Sequence, residues 1–430
     1  MELKPGDIVK IKKDNVVWEG IVMPREDKKY ITLKLKNGYN IGIKVDKNTK
    51  IEKIGEIKLK KQKPVSFELE FKEELPLVSV LSTGGTIASS IDYETGAIKA
   101  SYDAKDLVRT VPELVKFVNL KSRLIFQEMS ENFTPKHWQA LAKEVVKEIK
   151  KEKSKGIVIL HGTDTLTYSA CALSFMLRDL SIPVVFTFAQ KSSDRGASDA
   201  FMNLLCSCIV AGYSDIAEVL IVGHGSIEDD FCYINRGNKT RKMHTSQRNT
   251  FRSINDFPIG KVFPNGKIEI MNKRYFKRDE NREVYLEDKL EEKVALIKFY
   301  PGMNPKIIDW YIDKGYKGLV IEGTGLGHVN VSNSKFSLLP KIKRAIKEGV
   351  IVVMTSQCIY GRVNPYVYSN LRKLSEIGVL YLEDMLTECA LVKLMWALGK
   401  GKDYDEVKKI MLSNIANEFN PRISPKTFLF

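Results

Sequence analysis

Two short glycine-threonine turns constrain this chain more than any other feature: Thr83-Gly84-Gly85-Thr86-Ile87-Ala88 and His161-Gly162-Thr163-Asp164-Thr165. Each follows an apolar run of strand character, Val78-Ser79-Val80-Leu81 and Ile157-Val158-Ile159-Leu160, and each precedes a stretch that can start a helix. Continuous apolar runs of this kind suit strands buried on both faces, as in a parallel sheet. Ligands of open α/β sheets bind at the carboxyl ends of such strands. The two turns therefore predict one rim that carries both Thr86 and Thr163.

The first turn has a physical rationale. Glycine tolerates positive φ and lets the backbone approach a ligand closely. A following helix N-terminus offers unpaired N–H groups to a carboxylate or a developing oxyanion. A tight strand-to-helix turn would by itself account for the glycines, and a short motif alone decides little. The second turn, after a second buried strand, tips the balance toward a functional site.

From residue 76 onward, apolar strands alternate with amphipathic helices. Strands recur at Pro183-Val184-Val185-Phe186 and Val219-Leu220-Ile221-Val222, with a helical stretch near 196–211 between them. That pattern predicts a parallel sheet covered on both faces over 76–272. A charged stretch, 273–293, reads as a connection to a second α/β unit over 294–430, with strands near 294–299, 318–322, 350–354 and 379–382. Residues 1–57 read differently. Gly6-Asp7-Ile8-Val9-Lys10-Ile11 alternates like a half-buried strand, and three further short strands follow, with turns such as Asn37-Gly38 between them. This predicts a small antiparallel β-barrel of SH3-like size, and residues 58–75, mostly polar and charged, read as a linker.

Composition excludes several classes. No apolar run among the 430 residues approaches a membrane span, and the first residues have no apolar signal core, so a cytoplasmic location without membrane contact is expected. Six cysteines in so long a chain make no disulfide framework, and Cys206-Ser207-Cys208, in an apolar helical stretch, reads as core packing. The five histidines are scattered without zinc spacing, so no metal or organic cofactor is expected in this chain. The net charge of +15 invites a nucleic-acid reading, but lysine and glutamate enrichment is also a hyperthermophile signal. Association with an RNA-binding partner is favoured over direct RNA contact. Gly323-Thr324-Gly325-Leu326-Gly327-His328 lacks the lysine of a P-loop and reads as a turn near a domain or subunit junction, and Gln357 and Arg362 as candidates for an interface.

The two turns, in this order, resemble the signature segments of the L-asparaginase family. Met129-Ser130-Glu131 with Trp138 resembles its substrate-binding serine loop, and Lys242 before Thr250-Phe251-Arg252-Ser253-Ile254-Asn255 is similar to the segment at its catalytic lysine. The resemblance spans about residues 76–420 and implies an asparaginase-like two-domain parallel-sheet sandwich behind the N-terminal barrel. A narrower likeness includes the lysine-rich N-terminal extension, Arg241-Lys242-Met243-His244-Thr245-Ser246 and Gly361-Arg362-Val363-Asn364. With these the chain resembles the D-subunit family of archaeal glutamyl-tRNA(Gln) amidotransferases.

That likeness implies glutamine hydrolysis, with ammonia passed to an E subunit that amidates glutamate attached to tRNA(Gln). ATP and magnesium would be used by that partner, and this chain would form a homodimer within a heterotetramer. It also implies roles: Thr86 as nucleophile, Tyr93 as the loop tyrosine that activates it, and Thr163, Asp164 and Lys242 as the second threonine, aspartate and lysine. Ser130 and Glu131 would hold the amino-acid end of the substrate, with Gly85 and Gly162 shaping the floor; many free asparaginases have glutamine where Glu131 stands. The chemistry fits these residue types. A threonine hydroxyl attacks an amide once a base removes its proton, and a buried lysine whose charged form is disfavoured can be that base. Which threonine attacks first stays open at this stage. A free-standing cytosolic L-asparaginase is the alternative reading.

Overall fold

The computed structural model describes residues 3–23, 29–36, 39–56, 71–85, 87, 89–91, 98–100, 111–191, 197–401 and 403–430. The strands of the N-terminal unit are β1 (Asp7–Lys13), β2 (Val16–Val22), β3 (Tyr30–Leu35), β4 (Asn40–Lys44) and β5 (Lys50–Glu56). They form one antiparallel sheet in the order β4-β3-β2-β1-β5. Val9, Ile11, Val22, Ile31, Leu33 and Ile43 form its own small core. The sequence pattern does not reveal β5, because its apolar residues, Ile51 and Ile54, break the period of two and only a register shift opposite Ile8 and Val9 accommodates them.

The parallel part of the main sheet consists of β6 (Leu77–Ser82), β9 (Asn119–Leu124), β10 (Gly156–Leu160), β12 (Val184–Thr187) and β13 (Val219–His224). Apart from it, β7 (Ser89–Ile91) and β8 (Ile98–Ala100) form a separate hairpin. The helices are α1 (Pro135–Lys150), α2 (Leu166–Met176) and α3 (Ala200–Tyr213).

Alternate residues of these strands feed two cores, because successive side chains leave a strand on opposite faces. Leu81, Ile157, Ile159, Val184 and Phe186 pack with α1 and α2. Val78, Val80, Val158, Leu160 and Val185 pack with α3, where Cys206 and Cys208 are both buried. This double coverage is why the strands read as unbroken apolar runs.

The expectation of a parallel sheet holds for those five strands only. Three more, β14 (Cys232–Arg236), β17 (Gly260–Val262) and β18 (Ile268–Ile270), each pair antiparallel with their neighbours. The full order is β18-β17-β14-β13-β12-β10-β6-β9. The connections 225–231 and 263–267 are too short for a helical crossover, so the chain can only turn back on itself. Beyond the sheet, β15 (Thr240–Lys242) pairs with β16 (Phe251–Ser253). The stretch 273–293 is more than a connection, since β19 (Tyr285–Leu286) pairs with β11 (Leu177–Arg178) at the end of α2.

The second unit is a four-stranded parallel sheet of β20 (Val294–Lys298), β21 (Gly318–Gly323), β22 (Ile351–Ser356) and β23 (Leu380–Tyr381). Helices α4 (Lys306–Asp313), α5 (Leu339–Lys347), α6 (Ser369–Glu376), α7 (Thr387–Gly399) and α8 (Tyr404–Leu412) complete it. One hydrophobic core crosses both units, with α7 laid along α2 and Phe175 stacked on Trp396 at 5.7 Å. No described helix is long and apolar enough to cross a membrane.

Candidate active site

The two glycine-threonine turns leave the sheet side by side. β6 and β10 are parallel neighbours, and Ser82 stands opposite Leu160 in their register. Thr83 ties the first turn to the second strand, its backbone N–H (3.0 Å) and its hydroxyl (2.8 Å) both donating to the Leu160 carbonyl. Gly84 and Gly85 have φ of +104° and +80°, a region in which side chains are strained. A Cβ on Gly85 would stand 2.6 Å from the Gly162 nitrogen, so the turns touch backbone to backbone.

The loop after β9 closes the site from the other side. The Glu128 N–H donates to the Thr83 carbonyl at 3.2 Å, and a Cβ on Gly84 would collide with the Glu128 carbonyl at 2.4 Å. Ser130 is buried, and its hydroxyl would lie 2.9 Å from a Cβ on Gly162. The Thr165 hydroxyl donates to the Ser130 carbonyl at 2.6 Å. The motif alone assigns Thr165 no role; this bond makes it the tie between the serine loop and the second turn. Glu131 follows Ser130 and is exposed.

His161 is a buried structural residue. Its Nδ1–H donates to the Gly162 carbonyl at 2.7 Å, and its ring packs 4.6 Å from Phe133 and 5.6 Å from Phe186. Burial among these rings lowers its pKa to about 4, so the ring is neutral and in the Nδ1–H tautomer. Phe133 also stacks on His137, whose Nδ1 accepts from the Thr134 N–H at 3.0 Å as α1 begins. An aromatic contact thus runs from the serine loop to the second turn.

Lys242 ends β15, and its Nζ donates to Thr163 Oγ1 at 2.8 Å and to Asp164 Oδ1 at 2.9 Å. Its side chain is only 16% exposed, whereas that of Asp164 is 67% exposed. The loop after Lys242 is held by its own bonds: the Met243 N–H donates to the Thr250 carbonyl at 2.8 Å, and the Ser246 and Gln247 N–H groups donate to His244 Nδ1. An amine, a hydroxyl and a carboxylate therefore meet at the start of α2, where the first N–H groups of the helix have no partner within it. That is the equipment for proton transfer at a threonine oxygen and for stabilising a negative oxygen nearby.

Of the residues singled out in the sequence, Gly85, Ser130, Gly162, Thr163, Asp164 and Lys242 come together in this way. Thr86 and Tyr93 lie outside the described residues; Gly85 and Ile87, which flank Thr86, are both buried. Gly361-Arg362 meets the segment after the lysine, because the Asn255 side chain exchanges two 2.9 Å bonds with the Gly361 backbone. Arg362 and Gln357, expected at an interface, make bonds within the chain: Arg362 donates to the Asn420 carbonyl and Gln357 to the Glu322 carbonyl. Gly323–His328 is a turn, closed by reciprocal backbone bonds between Thr324 and His328.

Residues 3–54 match the GatD N-terminal domain, residues 77–276 the N-terminal asparaginase domain, and residues 293–411 the glutaminase/asparaginase C-terminal domain. Over 99% of this chain and 97% of the relative, the sequence is 52% identical to the D subunit of a glutamyl-tRNA(Gln) amidotransferase from Pyrococcus furiosus. The chain belongs to the D-subunit family of glutamyl-tRNA(Gln) amidotransferases. Other D subunits come from Pyrococcus horikoshii, 50% identical over 99% of this chain and 97% of that one, and Methanopyrus kandleri, 47% identical over 97% and 92%. Among solved structures, the thermostable L-asparaginase from Thermococcus kodakarensis matches with a TM-score of 0.71 and 32% identity, covering 80% of this chain and 100% of that one. L-asparaginase I from Vibrio cholerae matches at 0.70 and 27%, covering 80% and 99%. The fold is therefore asparaginase-like, and the small antiparallel sheet at the N-terminus corresponds to the GatD N-terminal domain.

Proposed function

We propose that this chain is the glutamine-hydrolysing component of a tRNA-dependent amidotransferase. It splits the carboxamide of glutamine and supplies ammonia to an E subunit, which amidates glutamate attached to tRNA(Gln) with ATP and magnesium. The observation that carries the reading is the seat of Lys242 Nζ between Thr163 Oγ1 and Asp164 Oδ1. The full-length likeness to D subunits supports glutamine as substrate and a partner protein as recipient.

In this reading a threonine hydroxyl attacks the carboxamide carbon and a neighbouring base takes its proton. The tetrahedral intermediate holds its negative charge against backbone N–H groups of the two turns. Its collapse breaks the C–N bond and expels ammonia, leaving a γ-glutamyl ester that water hydrolyses to glutamate. Thr86 carries the ester, and Tyr93 serves as the activating phenol. Thr163, Asp164 and Lys242 move the protons for departure of ammonia and entry of water. Positioned acid-base groups of this kind contribute about 10²–10⁴-fold. Ser130 and Glu131 hold the amino-acid end of glutamine. In the cytoplasm, two copies of this chain and two E subunits would form the working assembly.

The decisive measurement is the glutaminase rate of the chain alone, with an E subunit, and with the E subunit plus glutamyl-tRNA(Gln). The rate rises with each addition, because free release of ammonia would waste glutamine. Equal rates in all three, with asparagine cleaved as readily as glutamine, would point to a free-standing L-asparaginase. Trapping the acyl-enzyme and locating the ester by mass spectrometry tests the assignment to Thr86; an ester on Thr163 would exchange the two roles.

A further inference from the structure

β15, which carries Lys242, lies outside the eight-stranded sheet. It has three residues and, among the described residues, pairs only with β16. Two side chains just before Lys242 reach into the second unit. Lys239 Nζ pairs with Asp384 Oδ2 at 2.7 Å, and both side chains are wholly buried. Arg241 Nε pairs with Glu388 Oε1 at 3.0 Å. Asp384 is fixed in turn by Asn420, whose backbone and side-chain N–H groups each donate to it at 3.0 Å. Glu388 lies in the first turn of α7, and the same helix packs along α2, which starts directly after Thr165.

We infer that Asp384 and Glu388 are positioning residues for Lys242: the segment at the start of α7 sets the distance between the lysine and the second-turn threonine. It reaches Lys242 through the two ion pairs and reaches Thr163 through the packing of α7 on α2. One rigid element thereby gauges both sides of the 2.8 Å contact. Misplacement of a catalytic group by about 1 Å, caused from a distance, can cost on the order of 10²-fold in rate. The second unit is then part of the catalytic machinery through geometry, without touching substrate.

The charges are unequally placed. Glu388 is buried and its Oε2 has no partner among the described residues, whereas Arg241 is about one-third exposed. Loss of Arg241 strands a buried carboxylate, while loss of the Glu388 charge leaves an arginine that water can solvate. Arg241→Gln should therefore harm the protein more than Glu388→Gln.

The inference rests on the proposed role of Lys242, and the test separates the two. Full-length Glu388→Gln, Asp384→Asn, Arg241→Gln, Arg241→Lys and Lys242→Ala are assayed for ammonia release from glutamine, with folding checked by circular dichroism and thermal unfolding. Folded Glu388→Gln loses about tenfold or more in kcat with KM within about twofold, and Arg241→Lys recovers most of what Arg241→Gln loses. The double variant Arg241→Gln/Glu388→Gln is no slower than Arg241→Gln alone. Wild-type kcat in folded Glu388→Gln together with an inactive Lys242→Ala overturns the inference and leaves the catalytic reading standing. A rise in KM at constant kcat overturns it too, since that marks substrate binding. An active Lys242→Ala overturns both. Should Glu388→Gln fail to fold, the double variant Arg241→Gln/Glu388→Gln, which strands neither charge, is read by the same kcat criterion.

Discussion

Gly85 and Gly162 touch backbone to backbone, which brings the two turns of the site within reach of one substrate. A side chain on Gly85 would meet the Gly162 nitrogen at 2.6 Å while forcing a residue to adopt a φ of +80°. Gly85→Ala is therefore expected to combine a backbone clash with strain of about 1–3 kcal/mol. Glutaminase activity falls below detection and the melting temperature drops. A folded Gly85→Ala enzyme of near wild-type activity would show that the turns need not touch.

Gly162→Ala tests the substrate side. Its Cβ would stand 2.8 Å from Ser130 Cβ, an atom fixed by its own backbone, so the serine loop must shift to make room. KM for glutamine should rise about tenfold or more, the cost of displacing one polar contact worth roughly 1.5 kcal/mol. Unchanged steady-state constants would remove Ser130 from the substrate contacts.

Thr86→Ala, Thr163→Ala, Asp164→Asn and Lys242→Ala should each lower kcat by about 10²–10⁴-fold in a folded protein. Groups that act as a unit lose their effect together, so Thr163→Ala/Lys242→Ala should be little slower than either single variant. Multiplying losses in that double variant would mean that the 2.8 Å contact between Lys242 and Thr163 is not a working pair.

His161 predicts an acid-sensitive fold. Its pKa is about 4 in the native protein because of burial, against an ordinary value of 6.5. Between these values the unfolded chain binds a proton that the folded chain refuses. The stability it contributes is complete above about pH 6.5 and is lost as pH falls through about 4, roughly 3 kcal/mol in all. Guanidinium unfolding between pH 7 and pH 4 should show this slope in the wild type and a shallower one in His161→Gln. Parallel slopes would place the acid sensitivity elsewhere.

Glutamine hydrolysis should survive exhaustive dialysis against a chelator. Hydroxyl, amine and carboxylate suffice for acyl transfer at this site, and the described residues include no group of three or more His, Cys, Asp or Glu placed to hold a metal ion. Loss of activity that zinc or magnesium restores would contradict this.

The motifs, and the strands that carry them, are legible in the order of residues. An apolar run ending in glycine and threonine can do little except leave a doubly covered strand in a tight turn, and the 77–82 and 156–160 strands do so. Legibility fails where pattern is weak: β5 breaks the alternation, and the turn-back from β13 to β14 and from β17 to β18 is set by loop length, not by their own residues. Arg362 and Gln357 look available because charge and amide are polar in sequence; their bonds to the Asn420 and Glu322 carbonyls exist only once the chain has folded. The contact of Lys242 with Thr163 and Asp164, and the ties of its strand to Asp384 and Glu388, come from packing alone. Local sequence sets backbone shape over a few residues, through sterics and the period of burial. Contacts between residues 79 or 145 positions apart depend on how whole sheets and helices pack, which no short stretch encodes.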